Sequence, residues 1–426
     1  MTEVPASAEA LALDRDDALA SFRDRFRVPL APDGGPAIYL CGNSLGPMPV
    51  DAAARVQEVL DLWATLAVRG HHAGPDPWMH FHARFAAPLA RLVGAAPGEV
   101  VAMNTLTVNL HLLLVSFYRP TRARHRILIE RPAFPSDRYA VVSQLRFHGY
   151  APEEALVEVG PRAGEDLLRT EDLVAAIERE GDALALVLLP GVQYLTGQVL
   201  DVQAITRAAR RNGAVVGWDL AHSIGNVPVE LHDSGADFAV WCHYKYLCGG
   251  PGAAAGAFVH ERHARDSALP RFAGWWGHDA ATRFAMGPDF VPMAGAEGWQ
   301  QSNPPVLALA PLAAALALFD AAGLARLRAK SLALTAFARR LIGARLAGRV
   351  TILTPAADHE RGCQLSLRLA GGRTVGRHAF ESLMSRGVVG DWREPDVIRL
   401  APAPLYNRFA EVERAVALLE AALPPS

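Results

Sequence analysis

Two residues offer chemistry at first sight. Asp219 stands in Trp218-Asp219-Leu220-Ala221-His222-Ser223, directly after the apolar run 214–218. Open α/β sheets bind ligands at the carboxyl ends of their strands, and a carboxylate placed there needs a partner. A protonated pyridine nitrogen is one such partner, because a carboxylate that keeps the ring charged lets the ring accept electrons. Taken alone, Asp219 reads equally well as the N-cap of a following helix. Lys245 follows 26 residues later, in His243-Tyr244-Lys245-Tyr246, between an apolar run and a glycine-rich stretch. Burial disfavours the ammonium form of a lysine and frees the amine to make an imine with an aldehyde. A lone lysine is ordinarily a solvated surface charge, but the pairing with Asp219 and the glycine context point to a lysine that holds pyridoxal 5′-phosphate (PLP).

The surrounding pattern supplies elements able to hold this pair. Runs 100–103, 127–129, 183–189, 214–218 and 238–241 are apolar and strand-like, and 201–211 has helical spacing before a stop at Asn212-Gly213. Continuous apolar strands alternating with helices predict a mainly parallel sheet covered on both faces. Glycines 249, 250, 252 and 256 miss the dinucleotide fingerprint by one residue and form no phosphate-binding loop of the P-loop kind. They read as a tight turn leading into a strand at 253–259. Toward the C-terminus, strands at 350–353 and 364–369 and helices at 375–385 and 409–419 predict a smaller α+β domain. The expected division is an N-terminal segment 1–50 packing with the small domain, a large domain 51–305, and a linking helix plus small domain 306–426.

Composition narrows the class. At 426 residues, 51% hydrophobic and 20% charged, the chain suits a multi-domain globular protein. A net charge of −2 gives no footprint for nucleic acid. Cys41, Cys242, Cys248 and Cys363 form no C-x-x-C pair and no cluster with zinc spacing, so no metal is expected, and a reducing, cytoplasmic setting is. The first 30 residues mix charges with short apolar pieces and do not read as a secretory signal. The uncharged stretch 298–319, with Pro304, Pro305 and Pro311, reads as a turn and a buried helix, with no membrane span expected.

Several further segments run in order from residue 39 to 407. They are Y-L-C-G-N-S-L-G-P at 39–47, N-T-L-T-V-N-L-H at 104–111, F-P-S-D at 134–137, G-W-D-L-A-H at 217–222, A-G-W-W-G-H at 273–278, S-N-P-P at 302–305 and I-R-L-A-P-A-P-L-Y-N at 398–407. With H-Y-K-Y at 243–246, they make the chain resemble the kynureninases, a family in the class V branch of fold-type I PLP enzymes. Cysteine desulfurases share the Asp and Lys pattern but not the rest.

The resemblance implies a role for each matched residue. Leu106 and Thr107, opening a helical run to Phe117, would hold the cofactor phosphate with backbone N–H groups, although Thr107 also reads as a simple N-cap. Phe134 would stack on the pyridine ring, with Pro135, Ser136 and Asp137 beside the cofactor. A Phe in such a loop is otherwise a core anchor. His222 would support Asp219 or the cofactor, or else be a satisfied buried histidine. Tyr244 would reach the phosphate and move protons. Trp275 and Asn303 would reach the cofactor of a neighbouring subunit, which implies a homodimer with composite sites. Arg399 would pair with the substrate α-carboxylate, with Arg393 as competitor. Ser44, His71 and Asn303 would contact substrate. His71 alternatively faces solvent from its loop. Pro190 departs from the family's small hydroxyl residue and removes one hydrogen bond to the cofactor.

The implied reaction is hydrolytic Cβ–Cγ cleavage of L-kynurenine or 3-hydroxy-L-kynurenine, giving an anthranilate and L-alanine, with PLP on Lys245 as a Schiff base. The implied setting is tryptophan catabolism or NAD biosynthesis. His71 and Asn303 would favour the 3-hydroxylated substrate, because a buried hydroxyl needs partners. Two alternatives compete: another class V enzyme such as a cysteine desulfurase, and a silent protein of the same fold. The desulfurase needs a mobile cysteine, whereas Cys363 falls in the apparent strand 363–369. A nicotinamide dehydrogenase lacks its glycine fingerprint.

Overall fold

The computed structural model describes residues 6–424. Residues 1–5 and 425–426, the outer ends of the expected first and last regions, lie outside the described residues. Seven strands form the large sheet, in the order Val100–Met103, Ala255–Val259, Phe238–Cys242, Val215–Asp219, Leu184–Pro190, Arg126–Glu130, Leu156–Val159. All run parallel except Ala255–Val259, which is antiparallel to both its neighbours. The fold is thus α/β with a mainly parallel central sheet, as the apolar runs predict.

Alternation inside those runs explains them. Val216 and Trp218 face one core, with Ala239 and Trp241, while Phe238 and Val240 face the other, with Ile127 and Ile129. Because both faces are covered, neither set can be polar. Trp218 and Trp241 are fully buried, and truncating either to alanine should destabilise by about 3–5 kcal/mol. Gly256 lies within the strand rather than in the turn expected for it. A Cβ there would come within 2.2 Å of the Trp241 indole, so the glycine makes room for that ring. Gly250 and Gly252 do form the turn, with φ of +94° and +72°.

A second sheet of four strands, in the order Val350–Ile352, Leu365–Leu369, Val397–Leu400, Asp391–Arg393, is antiparallel throughout. Helices Leu324–Arg345, Gly372–Ser385 and Phe409–Ala422 pack on it around a separate core that includes Leu334, Leu367, Leu383 and Val416. The N-terminal stretch touches both parts. The Ser7 N–H donates to Glu413, and Ile38–Tyr39 pairs with Val388–Val389, but Leu19 and Phe26 enter the large core. Helix Val306–Ala322 is buried along much of its length, in keeping with the reading of 298–319. Among the described residues no single helix is long and apolar enough to cross a membrane.

Candidate active site

The carboxyl ends of the parallel strands open into a cleft of about 530 Å³ lined by Leu106, Thr107, Glu130, Phe134, Ser136, Asp137, Pro190, Tyr194, Asp219, His222, Tyr244 and Lys245. The sheet itself places the acid. Asp219 is the last residue of Val215–Asp219 and stands beside Pro190 in the ladder. Its Oδ1 accepts the Ala221 N–H at 2.7 Å. That bond closes a local turn and caps no helix, since the next helical turn starts at Leu231. The N-cap alternative is therefore corrected.

Lys245 lies three residues past the strand Phe238–Cys242. Its Nζ is 3.1 Å from Nε2 of His222 and 5.7 Å from the centre of the Phe134 ring. Burial, then the Lys245 charge, hold the His222 imidazole well below its ordinary pKa. His222 is thus neutral and accepts from Lys245, leaving its buried Nδ1 without a partner. Phe134 is only partly buried and meets Tyr194 edge-on at 5.3 Å, so it lines the cleft and is not a core anchor. Tyr244 is kept protonated, its pKa raised by burial and by Cys242.

Two helices, Leu106–Phe117 and Pro135–Phe147, begin at the cleft. Their N-termini meet where Thr107 Oγ1 lies 2.8 Å from Ser136 Oγ. Free N–H groups and two dipole ends make an anion seat. Thr105, not Thr107, is the N-cap of the first helix, which corrects that alternative. Pro135 opens the second helix with its ring exposed; lacking an N–H, it offers the cofactor no hydrogen bond.

The electrostatics hold a surprise. Glu130, the end of Arg126–Glu130, is 4% exposed and lies in the same cleft. Burial, with Asp219 and Glu158 nearby, pushes its carboxyl up to about 8. Asp137 is raised too, first by burial and then by Asp219 and Glu130, and its Oδ1 has no partner. Three carboxyl groups thus share the cleft with one lysine. Sequence reasoning missed Glu130 and Tyr194. Glu130 carried a usable signal, its place at the end of the apolar strand.

Arg399 is fully buried. Its Nη1 donates to the Tyr194 carbonyl at 2.6 Å, and its Nη2 lies 2.8 Å from Asp391 Oδ2 without hydrogen-bond alignment. Arg393 Nε stands 2.9 Å from the other oxygen of Asp391. The two candidate arginines therefore share one carboxylate. Ser44 sits in a turn carried by the catalytic loop, where the Gly46 N–H donates to the Tyr244 carbonyl at 2.8 Å.

His71, Trp275 and Asn303 do not join Lys245 within the chain. His71 packs edge-on to Trp78 at 5.4 Å, so it is not simply a solvent-facing loop residue, and with Asn303 it lines a separate, apolar cleft. Trp275 is exposed and donates to the Arg283 carbonyl.

The cleft fits PLP. It offers an amine, an acid at a strand end, an anion seat, an aromatic wall and orphaned polar atoms at His222 and Asp137. The chain has only two lysines, and Lys330 is tied to Asp17 at 2.7 Å. Solved structures with this fold include a variant of C-DES with glycine covalently linked to its PLP, at a TM-score of 0.75 and 18% identity over 93% of this chain and 98% of that one. Another is the cysteine desulfurase of Thermococcus onnurineus NA1, at 0.74 and 16% over 99% of both. Fold and site together define a fold-type I, PLP-dependent enzyme of class V. A family model described as the kynureninase C-terminal domain matches residues 327–419. The kynureninases of Stenotrophomonas maltophilia (strain K279a) and Xanthomonas campestris pv. campestris (strain B100) are each 58% identical to the chain, over 99% of it and 99% of their own length. The chain belongs to the kynureninase family.

Proposed function

We propose that this PLP-dependent hydrolase cleaves the Cβ–Cγ bond of L-kynurenine or 3-hydroxy-L-kynurenine. One water is consumed, and an anthranilate and L-alanine are released. The observation that carries the reading is the convergence of Lys245, Asp219, His222, Tyr244 and Phe134 in one cleft of a kynureninase-family chain. Bound PLP supplies an electron sink joined to the substrate nitrogen, which acidifies the Cα–H and permits Cβ–Cγ cleavage. The chain's own groups do the rest. Asp219 holds the proton on the pyridine nitrogen. Lys245 would hold the cofactor and its amine would take the Cα proton, with neutral His222 steadying its Nζ. Tyr244 delivers a proton to Cβ. The N-termini at Leu106, Thr107 and Ser136 seat the phosphate. Arg399, oriented by Asp391 and Tyr194, binds the substrate α-carboxylate with its unaligned Nη2 proton.

The active form is a homodimer in which Trp275, His71 and Asn303 complete the partner's site. Their separation from Lys245 within one chain supports this, as does the exposure of Trp63 (59%) and Trp275 (42%). We divide the chain into a cofactor-binding part, 51–305, and a C-terminal part, 306–426; the separate core that includes Leu334, Leu367, Leu383 and Val416 supports a C-terminal unit, whereas the linking helix Val306–Ala322 packs into the large core. Four free, buried cysteines suit a cytoplasmic setting. The test is product analysis: anthranilate and alanine should appear one for one from L-kynurenine. Alanine formed from L-cysteine in its place would favour a desulfurase, a reading that buried Cys363 does not support.

A further inference from the structure

The antiparallel register of Ala255–Val259 on Val100–Met103 brings Glu99 and His260 to the same end of the large sheet, opposite the catalytic cleft. A helical turn, Leu231–Ser234, adds His232. We propose that Glu99, His232 and His260 form a binding site for a divalent transition-metal ion of the zinc type, separate from the active site.

The distances suit such an ion. His232 Nδ1 lies 3.0 Å from both oxygens of Glu99, and His260 Nδ1 lies 3.6 Å from Oε1. Ligands at the usual zinc bond lengths of about 2.0–2.2 Å in a tetrahedron stand about 3.3–3.6 Å apart. The observed pair of separations brackets that value, and the three candidate ligand atoms all fall within 4.8 Å of one another. Two imidazoles and a carboxylate are a zinc-type donor set, with a fourth position left for water.

The carboxylate is held in place before any ion arrives. Its Oε1 accepts the Glu261 N–H at 2.7 Å and its Oε2 the Ala96 N–H at 2.8 Å. Such outer partners orient metal ligands. His260 Nδ1 accepts the Arg262 N–H at 3.2 Å, so this nitrogen is unprotonated, and an ion would take its lone pair by displacing that long bond. The two rings lie near-parallel at 5.0 Å. His232 is 37% exposed while Glu99 is buried, which leaves an entry path through one histidine. Asp233 and Glu261 add negative charge nearby, and the opposing cation, Arg262, is engaged by Asp237. An ion here would replace the proton that His232 shares with Glu99 and would tie the helical turn Leu231–Ser234 to the paired strands Val100–Met103 and Ala255–Val259. The ligands come from positions 99, 232 and 260, so no sequence spacing announces them.

The test uses the holoenzyme, freed of metal with a chelator and then titrated with zinc or cobalt(II). One ion should bind per chain. It should raise the melting temperature and give a cobalt spectrum without thiolate bands. His232→Ala and His260→Ala should each weaken binding more than tenfold and abolish the thermal shift while leaving kynurenine turnover intact. No saturable binding, or unchanged affinity in both variants, would overturn the proposal. Kynurenine turnover, measured in parallel, keeps this outcome distinct from any failure of the functional reading.

Discussion

Lys245 Nζ and His222 Nε2 stand 3.1 Å apart in a buried setting that keeps the imidazole neutral. A charged histidine there would repel the lysine, so the pair works only with His222 as acceptor. Replacing His222 with asparagine should keep an acceptor and retain most of the cofactor affinity. Phenylalanine should weaken PLP binding and slow turnover by about 10²-fold or more, the low end for a disturbed proton-transfer group. Cofactor titration followed by absorbance separates the two.

Glu130 should make stability depend on pH. Its folded-state pKa of about 8 lies above the ordinary carboxyl value, so between about 4.5 and 8 the folded protein holds a proton that the unfolded chain has lost. Stability from this group is therefore present at low pH, falls as pH rises through that window, and levels off above it. Glu130→Gln should remove this slope, so that the variant gains on the parent toward pH 8 in denaturant unfolding at a series of pH values. Parallel curves for the two proteins would contradict it.

Arg399→Ala should raise KM steeply and lower kcat/KM by about 2–4 kcal/mol, since it leaves a buried carboxylate without its partner. Arg393→Ala should cost far less, because Arg393 braces both oxygens of Asp391 but does not reach the Tyr194 carbonyl beside the cleft, as Arg399 does. Steady-state kinetics with the two variants decide, and a reversed order would reassign the role.

The composite site predicts complementation. Lys245→Ala subunits lack the amine but keep Asn303, whereas Asn303→Ala subunits keep the amine. Mixed dimers of the two inactive forms should regain up to about one intact site in two, because C2 pairing restores one complete set of groups. Activity that stays flat on mixing, or a fully active monomer in sedimentation, would refute it.

His71→Phe should selectively reduce turnover of 3-hydroxykynurenine, because the ring hydroxyl would lose a partner on burial. The parent should show the higher kcat/KM for the hydroxylated substrate. Equal or better use of plain kynurenine would rule the preference out.

The sequence made the large sheet legible because strands covered on both faces leave long apolar runs, and Asp219 and Lys245 stand just past the ends of two of them. Glu130 was equally well placed, but a single acid after Ile-Leu-Ile reads as a solvated strand end. Only the fold shows that Asp137 and Asp219 crowd it. Tyr194 acts through its backbone carbonyl as much as its ring, and a carbonyl leaves no mark in the sequence. Arg393 and Arg399 looked alike because both lie in strand-like segments; their shared Asp391 comes from strand pairing, which puts Asp391 opposite Arg399.

Reduction of the holoenzyme with borohydride, followed by peptide mapping, tests the account at its centre. With only Lys245 and Lys330 in the chain, a PLP-dependent enzyme of this design must carry the pyridoxyl group on the peptide containing Lys245. One equivalent on that peptide, lost in Lys245→Ala together with turnover of kynurenine, is the predicted result. Label on Lys330, or PLP-dependent kynurenine cleavage that persists in Lys245→Ala, would contradict it.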